Sequence, residues 1–191
     1  MEQQEADQNR YRVILADPPW RYEKWKGDKG RRTAESFYPT MPIEELIAMR
    51  PMIDGWALSD CALFLWTTPP TIAEFGFKLL DGWGFRYRTF AFTWVKTNRR
   101  NGKPFFGMGS YTRSNAEPCL LATKGTPQVK ARDVPQVILS PVREHSRKPD
   151  EQYQRIERLF NGPYIELFAR KQRSGWDAWG EEIRGPASRL V

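Results

Sequence analysis

Short, continuous apolar runs limit the folds open to this chain more than any other feature of its sequence. The letters VILA close the segment 11–16, and ALFLW fills the segment 62–66. Such runs predict strands that are buried on both faces, as in a parallel sheet, because a half-buried strand would alternate polar and apolar residues. Between them, residues 42–49 follow a helical pattern, with Pro42 suited to the first turn. Strands that alternate with helices predict an α/β fold, a three-layer sandwich around a mostly parallel central sheet.

The rest of the sequence continues this alternation. We predict further strands at residues 87–95, 118–122, 137–139 and 164–169, and further helices at residues 72–82 and 149–160. Residues 1–10 are expected to form a flexible tail, and residues 11–191 a single domain whose last segment, from residue 170 onward, is irregular. Ligands of such sheets bind beyond the carboxyl ends of the strands. The residues that follow the first and the last predicted strands are therefore candidates for one shared site.

Several kinds of chemistry are excluded by what the sequence lacks. His145 is the single histidine, so a multi-histidine zinc site cannot form, and the two cysteines have no C-x-x-C spacing. The phosphate-loop, G-x-G-x-x-G and G-x-S-x-G motifs are all absent. We therefore expect no metal at the site. No apolar run is long enough to span a membrane, and the polar N-terminus lacks an apolar signal core, so a cytoplasmic protein is expected.

The segment Asp17-Pro18-Pro19-Trp20, which follows the first predicted strand, carries the clearest chemical signal. Asp17 offers a carboxylate and Pro18 a backbone carbonyl, and two consecutive prolines fix their φ angles, so both hydrogen-bond acceptors are in place before a ligand arrives. Such acceptors suit the exocyclic amine of a nucleobase, which is a poor nucleophile until its hydrogens are held, and Trp20 adds a flat face for stacking. The simpler interpretation is a proline turn that ends the strand, with Trp20 as a core anchor.

Longer segments carry a resemblance to a known family. They are ADPPW (16–20), YPTM (38–41), ALFLWTT (62–68), TWVKTN (93–98), EPCLLATKG (117–125), HSRKPDEQY (145–153) and IELFAR (165–170). In this order they resemble the S-adenosylmethionine-dependent adenine N(6)-methyltransferases typified by the catalytic subunit of the mRNA adenosine methyltransferase. The resemblance covers most of residues 11–180. It implies a Rossmann-like methyltransferase fold with a circularly permuted motif order, in which the catalytic motif precedes the main cofactor-binding strand.

The resemblance also implies roles for individual residues. The catalytic residues would be Asp17, Pro18, Pro19 and Trp20. The candidates for binding the cofactor S-adenosylmethionine are Asp17, Lys148, Glu166, Phe168, Arg170 and Gln172, with Lys148 at the carboxylate of the methyl donor. The pocket for the target adenosine would include Tyr38, Glu117 and Ser146.

Two of the cofactor candidates have alternatives. Glu166 is either a surface residue or a partner of Arg170 near the donor ribose. Better-known members of the family carry His and Asn, which contact the ribose of the donor, where this chain has Lys171-Gln172-Arg173. Gln172 would replace one of those hydrogen bonds to the ribose. The later Asn-Gln of those members is Glu181-Glu182 here, and either carboxylate would accept a hydrogen bond from ribose or adenine.

Two basic loops, near residues 21–36 and 97–115, suit a polyanionic partner because the chain carries a net charge of +7. Lys24 and Lys26 in the first loop, and Arg99 and Arg100 in the second, are candidates for contacting phosphates. The alternative is that each loop is only a solubilising surface.

We therefore expect nucleic acid as the partner, with DNA preferred and RNA the runner-up, and a location in the cytoplasm of a bacterium or a phage-infected cell. A catalytically silent binding subunit is the rival hypothesis, and a dimer is left open.

Overall fold

The computed structural model describes residues 10–21, 40–107, 109, 111–143 and 147–183. Within these ranges the strands are β1 (Tyr11–Ala16), β2 (Ala57–Trp66), β3 (Arg86–Thr97), β4 (Ala116–Lys124), β5 (Val137–Pro141), β6 (Tyr164–Leu167) and β7 (Asp177–Trp179). These seven strands form one sheet in the order β5-β3-β4-β2-β1-β6-β7. The strand β4 pairs antiparallel with both of its neighbours, whereas every other pairing is parallel. The sheet is therefore mostly parallel, as predicted.

Helices connect the strands in the described ranges. They are α1 (Ile43–Ala48), α2 (Arg50–Trp56), α3 (Pro69–Thr71), α4 (Phe77–Gly82) and α5 (Glu151–Leu159), and a π-helical turn, Ile72–Gly76, joins α3 to α4. No helix in the described part of the chain is long and apolar enough to span a bilayer.

The central strand β1 is covered on both faces, which confirms the three-layer arrangement. Ile14 points into a core that also contains Leu46 of α1 and Leu80 of α4. Leu15 points the other way, into a second core with Ile156 of α5. All of these side chains are almost completely buried. The continuous apolar letters of β1 thus have the predicted cause, since a strand between two layers of helices has no solvent face.

The sequence predictions were wrong in two places. The segment after residue 170 is not irregular throughout, because β7 (Asp177–Trp179) adds a strand to the sheet edge. This strand has three residues, and only Ala178 among them is buried. A strand this short shows no periodic hydrophobic pattern that could be detected in the sequence. Helix α2 was also missed, since Pro51 and Gly55 in it are poor helix formers and its stability comes from packing of Ile53 and Trp56. The circularly permuted motif order stays a prediction.

One edge of the sheet gathers the ends of several strands. β1, β2, β3 and β6 are mutually parallel and all end there. Because β4 runs in the opposite direction, its first residues lie at the same edge, where Glu117 pairs with Trp94 near the end of β3. The loop between β3 and β4, residues 98–115, therefore leaves from this edge and returns to it. We call this edge of the sheet the site edge.

Candidate functional site

The turn after β1 is held on both sides by backbone hydrogen bonds. The Trp20 N–H donates to the Pro18 carbonyl at 2.8 Å, which closes a tight turn around Pro19. The Met41 N–H donates to the Pro19 carbonyl at 2.8 Å and so fastens the turn to a second segment of the chain. These bonds, with the two fixed φ angles, give Asp17 and the Pro18 carbonyl defined positions at the site edge.

Trp20 is a buried side chain with 5% of its surface exposed. Its indole N–H donates to the Trp66 carbonyl at 3.2 Å, and the Trp66 indole N–H donates to the Gln152 side-chain oxygen at 2.6 Å. This arrangement favours the interpretation of Trp20 as a core anchor. Stacking of a base on Trp20 stays a prediction, and it requires a ring face that the protein itself covers here.

The ammonium of Lys148 joins two carboxylates at the site edge. Its Nζ lies 2.8 and 2.7 Å from the two oxygens of Asp17, and 2.9 Å from Oε1 of Glu117. Lys148 stands three residues before the first residue of α5, whereas Asp17 follows β1 and Glu117 is the second residue of β4. The structure therefore brings together Asp17, Lys148 and Glu117. The resemblance assigned Asp17 to catalysis and to the cofactor, Lys148 to the cofactor and Glu117 to the target adenosine. Those separate roles stay predictions.

Burial and charge set the protonation of these three groups. Burial raises the pKa of Asp17, and although Lys148 opposes this, the net direction is upward. Burial also acts to raise the pKa of Glu117, but the ammonium groups of Lys148 and Lys96 outweigh it and the net direction is downward. Burial acts to lower the pKa of Lys148, yet its two carboxylate partners raise it overall. At neutral pH Lys148 is therefore charged.

Lys96 belongs to this cluster although sequence reasoning did not single it out. Its Nζ lies 2.7 Å from Oε2 of Glu117 and 5.0 Å from the centre of the Trp94 ring. The sequence did hold a signal that could have indicated Lys96. It follows Trp94 by two residues in the segment TWVKTN, so the two side chains lie on the same face of a strand. What the sequence did not show is that β4 lies beside β3.

Next to β1, the end of β6 bends sharply. Phe168 has a φ of 59°, in the left-handed region that residues other than glycine seldom adopt. Its ring meets Trp179 edge-to-face at 5.5 Å, and the Ala169 N–H donates to the Trp179 carbonyl at 2.9 Å. A Cβ on Gly180 would lie 2.4 Å from the Ala169 carbonyl oxygen, so this close approach requires glycine. Arg170 follows the bend and lies 3.8 Å from a Glu182 oxygen.

Glu166 and Gln172 have partners of their own. The Tyr153 hydroxyl donates to Oε2 of Glu166 at 2.9 Å, and burial raises the pKa of Glu166 to about 7. The Arg173 guanidinium lies 4.1 Å from the centre of the Tyr153 ring. The side-chain N–H of Gln172 donates to the Trp176 carbonyl at 2.6 Å, within a local turn. Cofactor binding by Glu166 and Gln172 stays a prediction.

The basic loop after β3 begins with an exposed turn. The Asn98 N–H donates to the Lys103 carbonyl at 2.8 Å, and Arg99 and Arg100 lie exposed in the turn that this bond closes. Farther along the same loop, Phe106 is 77% exposed and Tyr111 is 90% exposed. Basic and aromatic side chains thus stand together beside the site edge.

Four predicted site residues lie outside the described residues. They are Lys24, Lys26, Tyr38 and Ser146. In the described part of the chain, no group of three or more histidine, cysteine, aspartate or glutamate side chains could hold a metal ion. The arrangement at the site edge can instead accept hydrogens from an amine and bind a ligand that carries both signs of charge.

The sequence is similar to known proteins over most of its length. The sequence profile of the MT-A70 family matches residues 11–182. The type II methyltransferase M.MunI of Mycoplasma sp is 36% identical, and the match covers 91% of this chain and 78% of that protein. An N(6)-adenosine-methyltransferase MT-A70-like protein of Arabidopsis thaliana is 34% identical over 91% of this chain. The N(6)-adenosine-methyltransferase catalytic subunit METTL3 of Homo sapiens is 33% identical over 92% of this chain. The chain spans only 24% and 29% of these last two proteins.

Proposed function

The chain belongs to the MT-A70 family of adenine N6-methyltransferases, and from this membership we propose that it methylates the 6-amino group of adenine in DNA. The observation that carries the proposal is the pair of acceptors at the end of β1, the Asp17 carboxylate and the Pro18 carbonyl, fixed by the proline turn. Two acceptors on adjacent residues match in number the two hydrogens of an exocyclic amine.

The match to M.MunI supports DNA as the substrate. This relative, a type II DNA methyltransferase, is 36% identical to the chain, which covers 78% of it. The chain covers less than a third of the two adenosine methyltransferases. The exposed arginines and aromatic rings of the loop 98–115 fit a phosphate backbone and unstacked bases of either nucleic acid.

The residues at the site edge fit S-adenosylmethionine, on which methyltransferases of this family generally depend. Its methionine end carries an ammonium and a carboxylate, which suit Asp17 and Lys148 respectively. The bend at Phe168, with Arg170 after it, supplies an aromatic ring and a cation for the adenosine end. When bound, the cofactor supplies an electrophilic methyl group on a sulfonium, so the protein needs no metal.

The protein's own residues then act on the adenine. The Asp17 carboxylate and the Pro18 carbonyl accept hydrogen bonds from the amine and turn its nitrogen lone pair out of conjugation with the ring. Both acceptors already have protein partners, but each oxygen has a further lone pair available. Lys148 holds Asp17 in place from the other side. The side chains of Lys148 and Glu117 beside Asp17 are each 7% exposed, and a surrounding of low dielectric constant strengthens hydrogen bonds.

Parallel methylation assays test the choice of substrate. The purified chain is given S-adenosylmethionine with DNA or RNA oligomers of the same mixed sequence, and the nucleosides are separated and identified by mass. The proposal expects N6-methyladenine in the DNA arm at the higher rate. Methylation confined to RNA would overturn the choice of DNA and leave the family chemistry intact.

RNA is the second candidate because the two adenosine methyltransferases are 33% and 34% identical to this chain. The rival idea of a catalytically silent binding subunit is opposed by the intact Asp17–Trp20 motif. Calorimetry with S-adenosylmethionine distinguishes an active enzyme from a silent subunit, because a silent subunit is expected to bind no cofactor. Dimerisation and a cytoplasmic location stay predictions of the same hypothesis, and gel filtration checks the first.

A further inference from the structure

Lys96 lies at the far end of a row of alternating charges that leads to Asp17. The row runs from Lys96 on β3 to Glu117 on β4, then to Lys148 before α5 and to Asp17 after β1. Each neighbouring pair is within 2.9 Å or less, at 2.7, 2.9 and 2.7 Å. Four separate parts of the chain thus meet through ion pairs at the site edge.

The interior of this row is sheltered from solvent. The side chains of Glu117 and Lys148 are each 7% exposed, whereas that of Lys96 is 23% exposed. Ion pairs between buried groups are screened little, so the loss of one charge is felt by its neighbours. Lys96, like Asp17 with 31% of its side chain exposed, is therefore an outer charge beside a nearly dry inner pair, Glu117 and Lys148.

The backbone and a tryptophan ring direct the Lys96 ammonium to Glu117. Trp94 is the register partner of Glu117 across β3 and β4, and Lys96 lies two residues further on the same face. The Trp94 ring is fixed by a hydrogen bond from its indole N–H to the Ser140 carbonyl at 2.8 Å. The Lys96 ammonium lies 5.0 Å from the centre of that ring, so the stem of the side chain has a defined path.

A count of charges indicates what Lys96 does. Asp17 and Glu117 both pair with Lys148, and one ammonium cannot neutralise two carboxylates. The Arg170 charge also acts on Asp17, whereas at Glu117 the second positive charge comes from Lys96, which lies 2.7 Å from Oε2. The buried thiol of Cys119, on the same strand, adds no charge, because burial raises its pKa.

We propose that Lys96 is a positioning residue of the methyltransferase site: by pairing with Glu117 it keeps that carboxylate ionised and leaves Lys148 to pair with Asp17. Without Lys96, Glu117 takes up a proton at a higher pH and then no longer holds Lys148 in place beside Asp17. This change disturbs the acceptor that holds the adenine amine. The inference concerns the adenine chemistry of the family and rests on the proposed role of Asp17, but not on the choice of DNA.

Substitutions at Lys96 test the proposal. Lys96→Met keeps the length of the side chain and removes its charge, Lys96→Gln is a second neutral variant, and Lys96→Arg keeps the charge. Lys78→Met is the matched control, because Lys78 lies exposed on α4 with its ammonium 3.7 Å from Glu44. Urea unfolding identifies which of these variants fold.

The first measurement follows the Glu117 carboxyl carbon by NMR across a pH series in protein labelled at glutamate, with Glu117→Gln to identify the signal. We expect the titration midpoint of the Glu117 carboxyl group to rise by about one pH unit or more in Lys96→Met or Lys96→Gln, provided that the variant folds. In Lys96→Arg the midpoint should return toward the wild-type value. The midpoint in Lys78→Met stays at the wild-type value. An unchanged midpoint in the neutral variants would overturn the proposal.

The second measurement is the pH profile of methylation. The acidic limb of kcat/KM moves upward in the neutral variants, with about a tenfold loss at acidic pH for a shift of one unit, and Lys96→Arg restores it. A uniform loss at every pH, with the limb unmoved, would contradict the proposal. If the wild-type chain methylates neither DNA nor RNA, the proposed function fails, whereas the NMR titration still decides the role of Lys96.

Discussion

Asp17 and Lys148 are 131 residues apart in the sequence, yet the Lys148 ammonium lies within 2.8 Å of both oxygens of the Asp17 carboxylate. The pair bridges the turn after β1 and the segment that leads into α5. It therefore ties one face of the sheet to the acceptors at the site edge, and it is the feature on which the following expectations depend.

Replacing the Asp17 carboxylate should abolish most activity without unfolding the protein. Asp17→Asn keeps the shape of the side chain but replaces one acceptor oxygen by an N–H donor, so we expect methylation to fall on the order of 10²–10³-fold. Initial rates with labelled S-adenosylmethionine measure the loss. Asp81→Asn, on the exposed end of α4, serves as the control. Full activity of Asp17→Asn would remove Asp17 from the mechanism.

Removing Lys148 should destabilise the folded state. Lys148→Met leaves two carboxylates without their shared cation, so the free energy of unfolding should fall by about 3–5 kcal/mol near neutral pH. The pKa of Glu117 then rises above its unfolded value, and that of Asp17, which is already raised, rises further. Protonation therefore favours the folded variant, and the deficit shrinks as the pH falls toward 5. Urea titrations at pH 5 and pH 8, beside Lys78→Met, check this. A deficit that is the same at both pH values would contradict it.

Glu166 should make stability depend on pH in the physiological range. Burial raises its pKa from 4.5 to about 7, so between these values the folded state binds more protons than the unfolded state. This contribution to stability is present below about pH 4.5 and is lost as the pH rises through about 7. Glu166→Gln removes the titration and should therefore gain stability relative to the wild type from pH 5 to pH 8. Urea unfolding measures the difference, with exposed Glu74→Gln as the control.

The exposed arginines after β3 should contribute to nucleic-acid affinity through phosphate contacts. The double variant Arg99→Ala/Arg100→Ala should bind DNA oligomers more weakly. The slope of the logarithm of the binding constant against the logarithm of the salt concentration should become shallower by about 0.9 for each phosphate contact that is lost. Anisotropy titrations at several salt concentrations give this slope. The double variant Arg12→Ala/Arg86→Ala removes two exposed arginines near the starts of β1 and β3, at the opposite edge of the sheet. An equal loss in both double variants would mean that only net charge matters.

The three-layer arrangement of the fold could be predicted from the sequence because the local pattern of apolar residues indicates which faces of a strand are buried. Ile14 and Leu15 are adjacent, apolar and buried on opposite faces, and this combination occurs where helices cover both sides of a strand. The contact of Lys96 with Glu117 depends instead on β4 lying antiparallel beside β3, which no local pattern specifies. The same holds for Tyr153 and Glu166, whose hydrogen bond joins a helix to a strand across the second core.

The reversed direction of β4 has a consequence for how such an enzyme can diversify. Because β4 runs against its neighbours, the loop 98–115 is anchored next to Lys96 at one end and next to Glu117 at the other. If the loop contacts nucleic acid as we propose, an insertion or deletion within it is expected to change what the protein recognises, while the ion pair at its base is expected to preserve the chemistry. Recognition and reaction would then be inherited as separable modules, and new target sequences could be acquired without rebuilding the catalytic centre.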